Sequence, residues 1–272
     1  MKIAIIPRAP EHSPNMVSND TAILECIAGE LRKMGADTIT IDSMSGITEE
    51  IDIICHMSRS QEVLNSLKEA ESNGITVVNT PQSVENCSRL KVMTILEESN
   101  IPQPEFRVIN DIKDLEGLDY PAWLKRGEGW SCHKDDIYYA KNCAEARDAF
   151  KRMLERGIKK VICTRHCNGD IIKFYGVEDK YFTFHYPIID NTKFGLEKIN
   201  GTQKHYPFDA EKMRDIVYMA AKSIGLKIYG GDCIVDSEGR IYLIDLNDFP
   251  SFSSVREEAA REIALSIMNS RN

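Results

Sequence analysis

No stretch of this chain approaches the ~20 apolar residues that span a bilayer. The first strand-like apolar run, Lys2 to Ile6, is stopped by Pro7, well short of a secretory h-region. A cytoplasmic protein with no membrane partner is expected. A basic surplus is also missing: 34 Lys and Arg face 42 Asp and Glu, a formal net charge of -8. Nucleic-acid affinity rests on clustered cations that neutralise phosphates, so this balance argues against nucleic acid as a partner and makes any phosphate site local. The eight cysteines contain no Cys-x-x-Cys pair, which points to buried free thiols rather than structural zinc or a disulfide framework. No Gly-x-Gly-x-x-Gly follows the first strand, so a dinucleotide site of the usual kind is absent. Internal repeats and low-complexity tracts are lacking too.

What is present is centred on a stretch near residue 240. Tyr229-Gly230-Gly231-Asp232-Cys233-Ile234-Val235 and Arg240-Ile241-Tyr242-Leu243-Ile244-Asp245-Leu246-Asn247-Asp248 flank the turn residues Asp236-Ser237-Glu238-Gly239, the pattern of an antiparallel hairpin. If Val235 pairs with Arg240, position 232 faces 243, and period-two alternation sets Asp232, Asp245 and Asn247 on one face. The other face then carries Cys233, Val235, Ile244 and Leu246. Two carboxylates and an amide in otherwise apolar strands repel and are desolvated unless a hard cation sits among their oxygens, which suits magnesium. The bland alternative is a solvent-facing polar edge.

Upstream, strands and helices alternate: a strand at Lys2 to Ile6, a helix from Val17 to Met34, strands at Thr38 to Ile41 and Ile51 to Cys55, a helix at Gln61 to Ser72, and a strand ending at Val78. That alternation implies a parallel sheet, whose ligands gather beyond the carboxyl ends of the strands, where Arg8 and Arg59 fall. Asn79 to Pro104 runs through a helix. Two α+β units follow, the first with strands at Glu105 to Ile109, Pro121 to Arg126 and Asp136 to Ala140 and a helix from Asn142 to Arg156. Lys159 to Arg165, Asp170 to Val177 and Lys180 to Ile188 are further strands. A basic loop with Lys193 and Lys204 leads into a helix capped by Asp209 and Gly225, then the hairpin and a closing helix from Ser253 to Met268. Arg8, Arg59, Lys193 and Lys204 are candidate substrate contacts.

Four motifs in this order, Ser88-Arg89-Leu90-Lys91, Trp123-Leu124-Lys125-Arg126-Gly127, Gly169-Asp170-Ile171-Ile172-Lys173-Phe174-Tyr175-Gly176 and Ile244 to Phe252, make the chain resemble the ATP-grasp superfamily over nearly its whole length. Within it, the resemblance is strongest to ligases like ribosomal protein S6 glutamate ligase and glutathione synthetase. It implies an α/β (α+β) ATP-grasp fold: an N-terminal parallel-sheet domain over residues 1–84, a central lid subdomain over 85–165, and a C-terminal subdomain with the metal site over 166–272.

The resemblance further implies that Lys91 and Lys125 reach the phosphates of ATP and that the loop from Gly127 to His133 folds over them, with Gly129 allowing close backbone approach and Ser131 donating. Trp130, Cys132 and His133 depart from the usual Gly/Ser-rich loop. As a polar loop bearing Gly127 and Gly129 with few apolar anchors, it is expected to be mobile without nucleotide. Arg165-His166-Cys167 maps to the strand that reads the adenine edge, with Asp170 standing in for an acidic contact that relatives make nearby. Lys173 matches the basic residue near the transferred phosphoryl group. Lys173, Asp245 and Asn247 are the implied catalytic set, and Asp232, Asp245 and Asn247 the ligands of two magnesium ions, with manganese able to replace them. Relatives more often carry Glu where Asp245 stands.

The implied activity is an ADP-forming ligase joining a small-molecule or peptide carboxylate to an amine, or to a thiol, through an acylphosphate, with a homodimer left open. Two alternatives remain at this level: a kinase resembling the inositol-phosphate kinases, which share an Asp-x-Asn-x-Phe-Pro arrangement, and a nucleotide-binding module without turnover.

Overall fold

The computed structural model describes residues 1–41, 50–131, 133–188 and 196–270. Alternation of apolar residues along the first strand decides how the N-terminal layers form. In β1 (Lys2–Ile6), Ile3 and Ile5 point to one face and Ala4 and Ile6 to the other, and all are buried. Ile3 and Ile5 pack with Ile23, Ile27 and Leu31 of α1 (Val17–Lys33), whereas Ala4 and Ile6 pack with Leu64 and Leu67 of α2 (Gln61–Ser72). A strand covered on both faces belongs to a parallel sheet. Its partners are β2 (Asp37–Thr40), β3 (Ile53–His56) and β4 (Thr76–Val78), in the order β2-β1-β3-β4 and all parallel.

Where the sequence suggested one connecting helix there are two, α3 (Pro81–Asn86) and α4 (Arg89–Glu98), because Ser88 adopts an extended conformation between them. An antiparallel sheet follows, made of β5 (Phe106–Ile109), β6 (Ala122–Arg126), β7 (Ile137–Ala140) and β8 (Val161–Arg165), in the order β5-β8-β6-β7. It is backed by α5 (Cys143–Glu155), whose Ala146, Phe150 and Met153 pack on Leu124, Ala140 and Val161.

The last sheet, in the order β10-β9-β11-β12, contains β9 (Asp170–Val177), β10 (Tyr181–His185), β11 (Ile228–Val235) and β12 (Ile241–Asp248), all antiparallel. One face is covered by α6 (Ala210–Ile224), which starts on the Asp209 side chain accepting from the Lys212 amide and ends at Gly225 with φ 91, as its caps predict. The closing helix α7 (Arg256–Asn269) packs instead on α1, so the two ends of the chain share one core through Ile23, Ile27, Ile263 and Ile267.

Four apolar clusters lie among the described residues. The antiparallel middle sheet and α5 have a core of their own. Val92 and Leu96 of α4 belong to the core beneath β11, β12 and α6. The N-terminal and C-terminal sheets are fastened by the buried Asn79, whose carboxamide oxygen accepts from the Lys227 and Ile228 amides at 2.9 Å each and whose nitrogen donates to the Ile228 carbonyl at 2.7 Å. No helix among the described residues is long and apolar enough to cross a membrane.

Candidate active site

The hairpin of β11 and β12 does bring the acids together, but by a different register from the regular one. Val235 pairs with Ile241 and Cys233 with Leu243, then Asp232 pairs with Asp245, leaving Ile244 as an extra residue in β12. The turn is the first cause. The Asp236 carboxylate accepts from the Glu238 and Arg240 amides and from the Arg240 guanidinium, and Gly239 takes φ 76, so the reversal runs through residue 240 rather than ending before it. The bulge is the second, since two residues opposing one switches the strand's parity. Leu243 and Leu246 therefore both lie in the core, and Asp245 and Asn247 come to the open face. The expectation that position 232 faces 243 and that Ile244 lies on the apolar face is corrected accordingly. Gly231 fits opposite the bulge because a Cβ there would run into the Asp245 carbonyl oxygen.

Register across the sheet puts four ionisable side chains in one row: His185 opposite Lys173, Lys173 opposite Asp232, and Asp232 opposite Asp245. The Lys173 ammonium lies 2.9 Å from Asp232 Oδ1. The Asn247 amide donates to Asp245 Oδ2 at 2.8 Å, and Arg89 reaches Asp245 Oδ1 at 3.8 Å while donating to Ser131 Oγ at 3.0 Å. Burial disfavours the Asp245 anion, but the Arg89 guanidinium, the Asn247 amide and the Lys125 and Lys173 ammonium groups together hold its carboxyl below the usual range. Its side chain keeps 36% exposure, so it remains open to a ligand.

Lys125, on β6, is 9% exposed. Desolvation, reinforced by Arg89 and opposed by Asp245, lowers its pKa to about 8. His185 is likewise held below its usual value by burial and by Lys173, against the pull of Asp232, and its ring packs on Tyr175 at 5.6 Å.

Asp232, Asp245 and Asn247 offer carboxylate and amide oxygens on one face, the kind of donor that magnesium or manganese takes. Among the described residues no three His, Cys, Asp or Glu side chains gather for a metal, so the set relies on the amide.

The other sequence candidates are distributed as follows. Lys91 is exposed, and Arg89, two positions earlier on α4, is the cation turned to Asp245. Gly129 takes φ 63 in the loop after β6, and the Leu90 amide donates to the Gly127 carbonyl at 3.0 Å, tying that loop to α4. In the hinge, Arg165 and His166 donate their amides to the Glu105 and Pro121 carbonyls, and the Cys167 carbonyl accepts from Asn200. The His166 ring accepts at Nδ1 from the Trp123 indole at 3.0 Å and sits 3.1 Å from Asn168 at Nε2. Asp170 is buried, with its two oxygens on the Lys204 and Tyr206 amides, and the Lys204 ammonium lies over the Tyr206 ring. Arg59 forms a buried bidentate pair with Asp248, and Arg8 holds Asp20 and the Phe249 carbonyl. Lys193 lies outside the described residues.

Sequence reasoning missed Arg89 and His185. Strand alternation from Tyr181 through Thr183 could have placed His185 on the face of Lys173 once β9 and β10 were paired. It also treated Trp130 only as a departure, although its ring packs against the N-terminal core and faces Arg59.

No family profile matches the chain, and no curated protein matches it. Solved structures do. D-alanine–D-alanine ligase from Bacillus anthracis complexed with ATP is 15% identical, with 99% of this chain and 97% of that one covered at a TM-score of 0.74. A RimK domain protein of ATP-grasp type from Sphaerobacter thermophilus is 14% identical, covering 99% and 100% at 0.68. N5-carboxyaminoimidazole ribonucleotide synthetase from Thermotoga maritima is 15% identical, covering 98% and 76% at 0.67. At these identities the likeness is one of fold.

Proposed function

The chain has the ATP-grasp fold along its whole length, and on that premise we propose that it is an ATP-dependent, ADP-forming ligase that activates a carboxylate as an acylphosphate and passes the acyl group to an amine. The observation that carries this reading is the row of Lys173, Asp232 and Asp245 with Arg89 and Lys125 converging on it. Such a row sets two adjacent anions between cations, which suits a polyphosphate with bound metal: anions to hold the metal and cations to take the phosphate oxygens.

In this mechanism a substrate carboxylate oxygen attacks the γ-phosphorus of ATP and the bond to the β,γ-bridging oxygen breaks, releasing ADP. The amine then attacks the acyl carbon, the C–O bond to phosphate breaks, and the amine loses a proton. Lys125 and Arg89 bind phosphate oxygens from the side of α4 and β6. Lys173 lies against the transferred group, and its ion pair with Asp232 fixes where its charge is presented. Asp232, Asp245 and Asn247 would hold magnesium, which when bound would neutralise charge at the γ-phosphoryl group. Residues 165–167 read the adenine edge, and the loop from Gly127 to His133 covers the triphosphate. Arg8 and Arg59, although paired within the protein, border the space available to the carboxylate substrate.

The test follows the phosphoryl group. Mixed amino acids and small carboxylates are supplied with ATP and magnesium, hydroxylamine replaces the amine, and phosphate and hydroxamate are measured together. A ligase releases phosphate and forms hydroxamate in equal amounts. A stable phosphorylated product without phosphate release rejects the ligase and establishes a kinase; ATP binding without turnover across the screen supports a module that only binds.

A further inference from the structure

The loop after β6 would be held by little more than its glycines if its side chains were small. It contains one large ring, Trp130, and that ring leaves the middle unit altogether. It packs against the N-terminal core of Ile6, Leu64 and Val84, places its face 5.0 Å from the Arg59 guanidinium carbon, and meets the His12 ring edge-on at 6.3 Å. Its indole N–H is buried without a hydrogen-bond partner among the described residues, so the ring is seated by packing and by the cation. The next residue, Ser131, accepts from Arg89, which faces Asp245. Arg59 in turn holds Asp248, adjacent to Asn247 on β12.

Resting on the reading of this loop as the cover of the triphosphate, we propose that Trp130 is a positioning residue that docks the loop, already without nucleotide, onto a surface made jointly by the N-terminal domain and β12, thereby setting Ser131 and Arg89 over the phosphate site. The physical argument is one of shared partners. A planar guanidinium can pair its edge with a carboxylate and offer its face to an indole at the same time. Arg59 does both, so the ring finds its seat only when Arg59 and Asp248 are joined, that is, when the N-terminal sheet and β12 are assembled. A loop of glycine and serine has no such seat and is ordered by phosphate alone. Trp130 removes part of that ordering cost before ATP arrives, which lowers the KM for ATP. Trp130 is one of the few apolar anchors expected of this loop.

The experiment uses the full chain with Trp130→Leu, which removes the aromatic face, and Trp130→Phe, which keeps it. Hydrogen exchange is followed in the protein without nucleotide. Amides 128–131 are expected to exchange about tenfold faster in Trp130→Leu and to be largely restored in Trp130→Phe, while amides of α7 keep their wild-type rates. With ATP and magnesium, the KM for ATP rises about tenfold in the Leu variant with a smaller change in kcat. Exchange in Trp130→Leu equal to wild type overturns the proposal, as does loop exchange that accelerates only in step with α7, which marks general destabilisation. Failure of the wild-type protein to bind ATP in equilibrium dialysis removes the cover-loop reading instead, and the exchange result still decides whether Trp130 docks the loop.

Discussion

Asp232 and Asp245 stand directly opposite each other on β11 and β12, each with a cation of its own: Lys173 at 2.9 Å from the first and Arg89 at 3.8 Å from the second. Against the cost of burial, the Arg89 guanidinium and the Asn247 amide hold the Asp245 carboxyl below the usual range. Replacing Asp245 by Asn removes the charge of the proposed metal ligand while keeping the shape of the side chain. ATP turnover is expected to fall at least about a hundredfold, consistent with the loss of a group acting on developing charge, with an unchanged far-UV circular dichroism spectrum. Turnover that survives would mean that the site lies elsewhere.

The buried ammonium of Lys125 titrates near pH 8. Its folded pKa lies below the usual lysine value, so the unfolded chain holds more protons between pH 8 and the ordinary lysine range, and this group's contribution to stability rises with pH across that window. Phosphate binding needs the opposite state, the protonated one. The plot of kcat/KM for ATP against pH should therefore show a falling limb near 8, absent in Lys125→Arg, because kcat/KM reports the free enzyme. A profile flat from pH 7 to 9 in the wild type would separate Lys125 from the phosphates.

The Arg59 and Asp248 side chains are 7% and 1% exposed and meet at 2.7 Å. Arg59→Met leaves the carboxylate buried without its partner and should cost about 3–5 kcal/mol in urea unfolding. Combining it with Asp248→Asn should recover much of that loss. Strict additivity of the two changes would show that the pair is not coupled.

Gly231 offers a sharper structural test. Alanine there would collide with the Asp245 carbonyl oxygen, so Gly231→Ala is expected to destabilise by about 1–3 kcal/mol through overpacking and to weaken magnesium-dependent ATP turnover together with it. Gly29, with open space around it and no positive φ, is the control position for effects on turnover, since it lies within α1.

The alternation of strand and helix over the first 80 residues, and the caps at Asp209 and Gly225, were legible because they rest on local spacing. So was the placing of Asp232 and Asp245 on paired strands of one hairpin, although the route was not: a bulge at Ile244 depends on how the Asp236 side chain shapes the turn, and alternation has no symbol for an extra residue. Lys91 and Arg89 are chemically interchangeable to a reader of the sequence, yet two positions turn a helix by roughly 200° and send them to different faces. The duties of Arg8 and Arg59 were hidden for a simpler reason. Their partners Phe249 and Asp248 lie 241 and 189 residues away along the chain, and pairings that distant carry no local signal.

The sharing of one core by α1 and α7, with Asn79 fastening β4 to β11, ties the first sheet of the chain to the last, whereas the unit from β5 to β8 carries a core of its own. If the site closes on a nucleotide, the rearrangement would cost least where no shared core is broken, like a door turning against its frame: the unit from β5 to β8 would move on the chain between β8 and β9 while the joined sheets stay as they are.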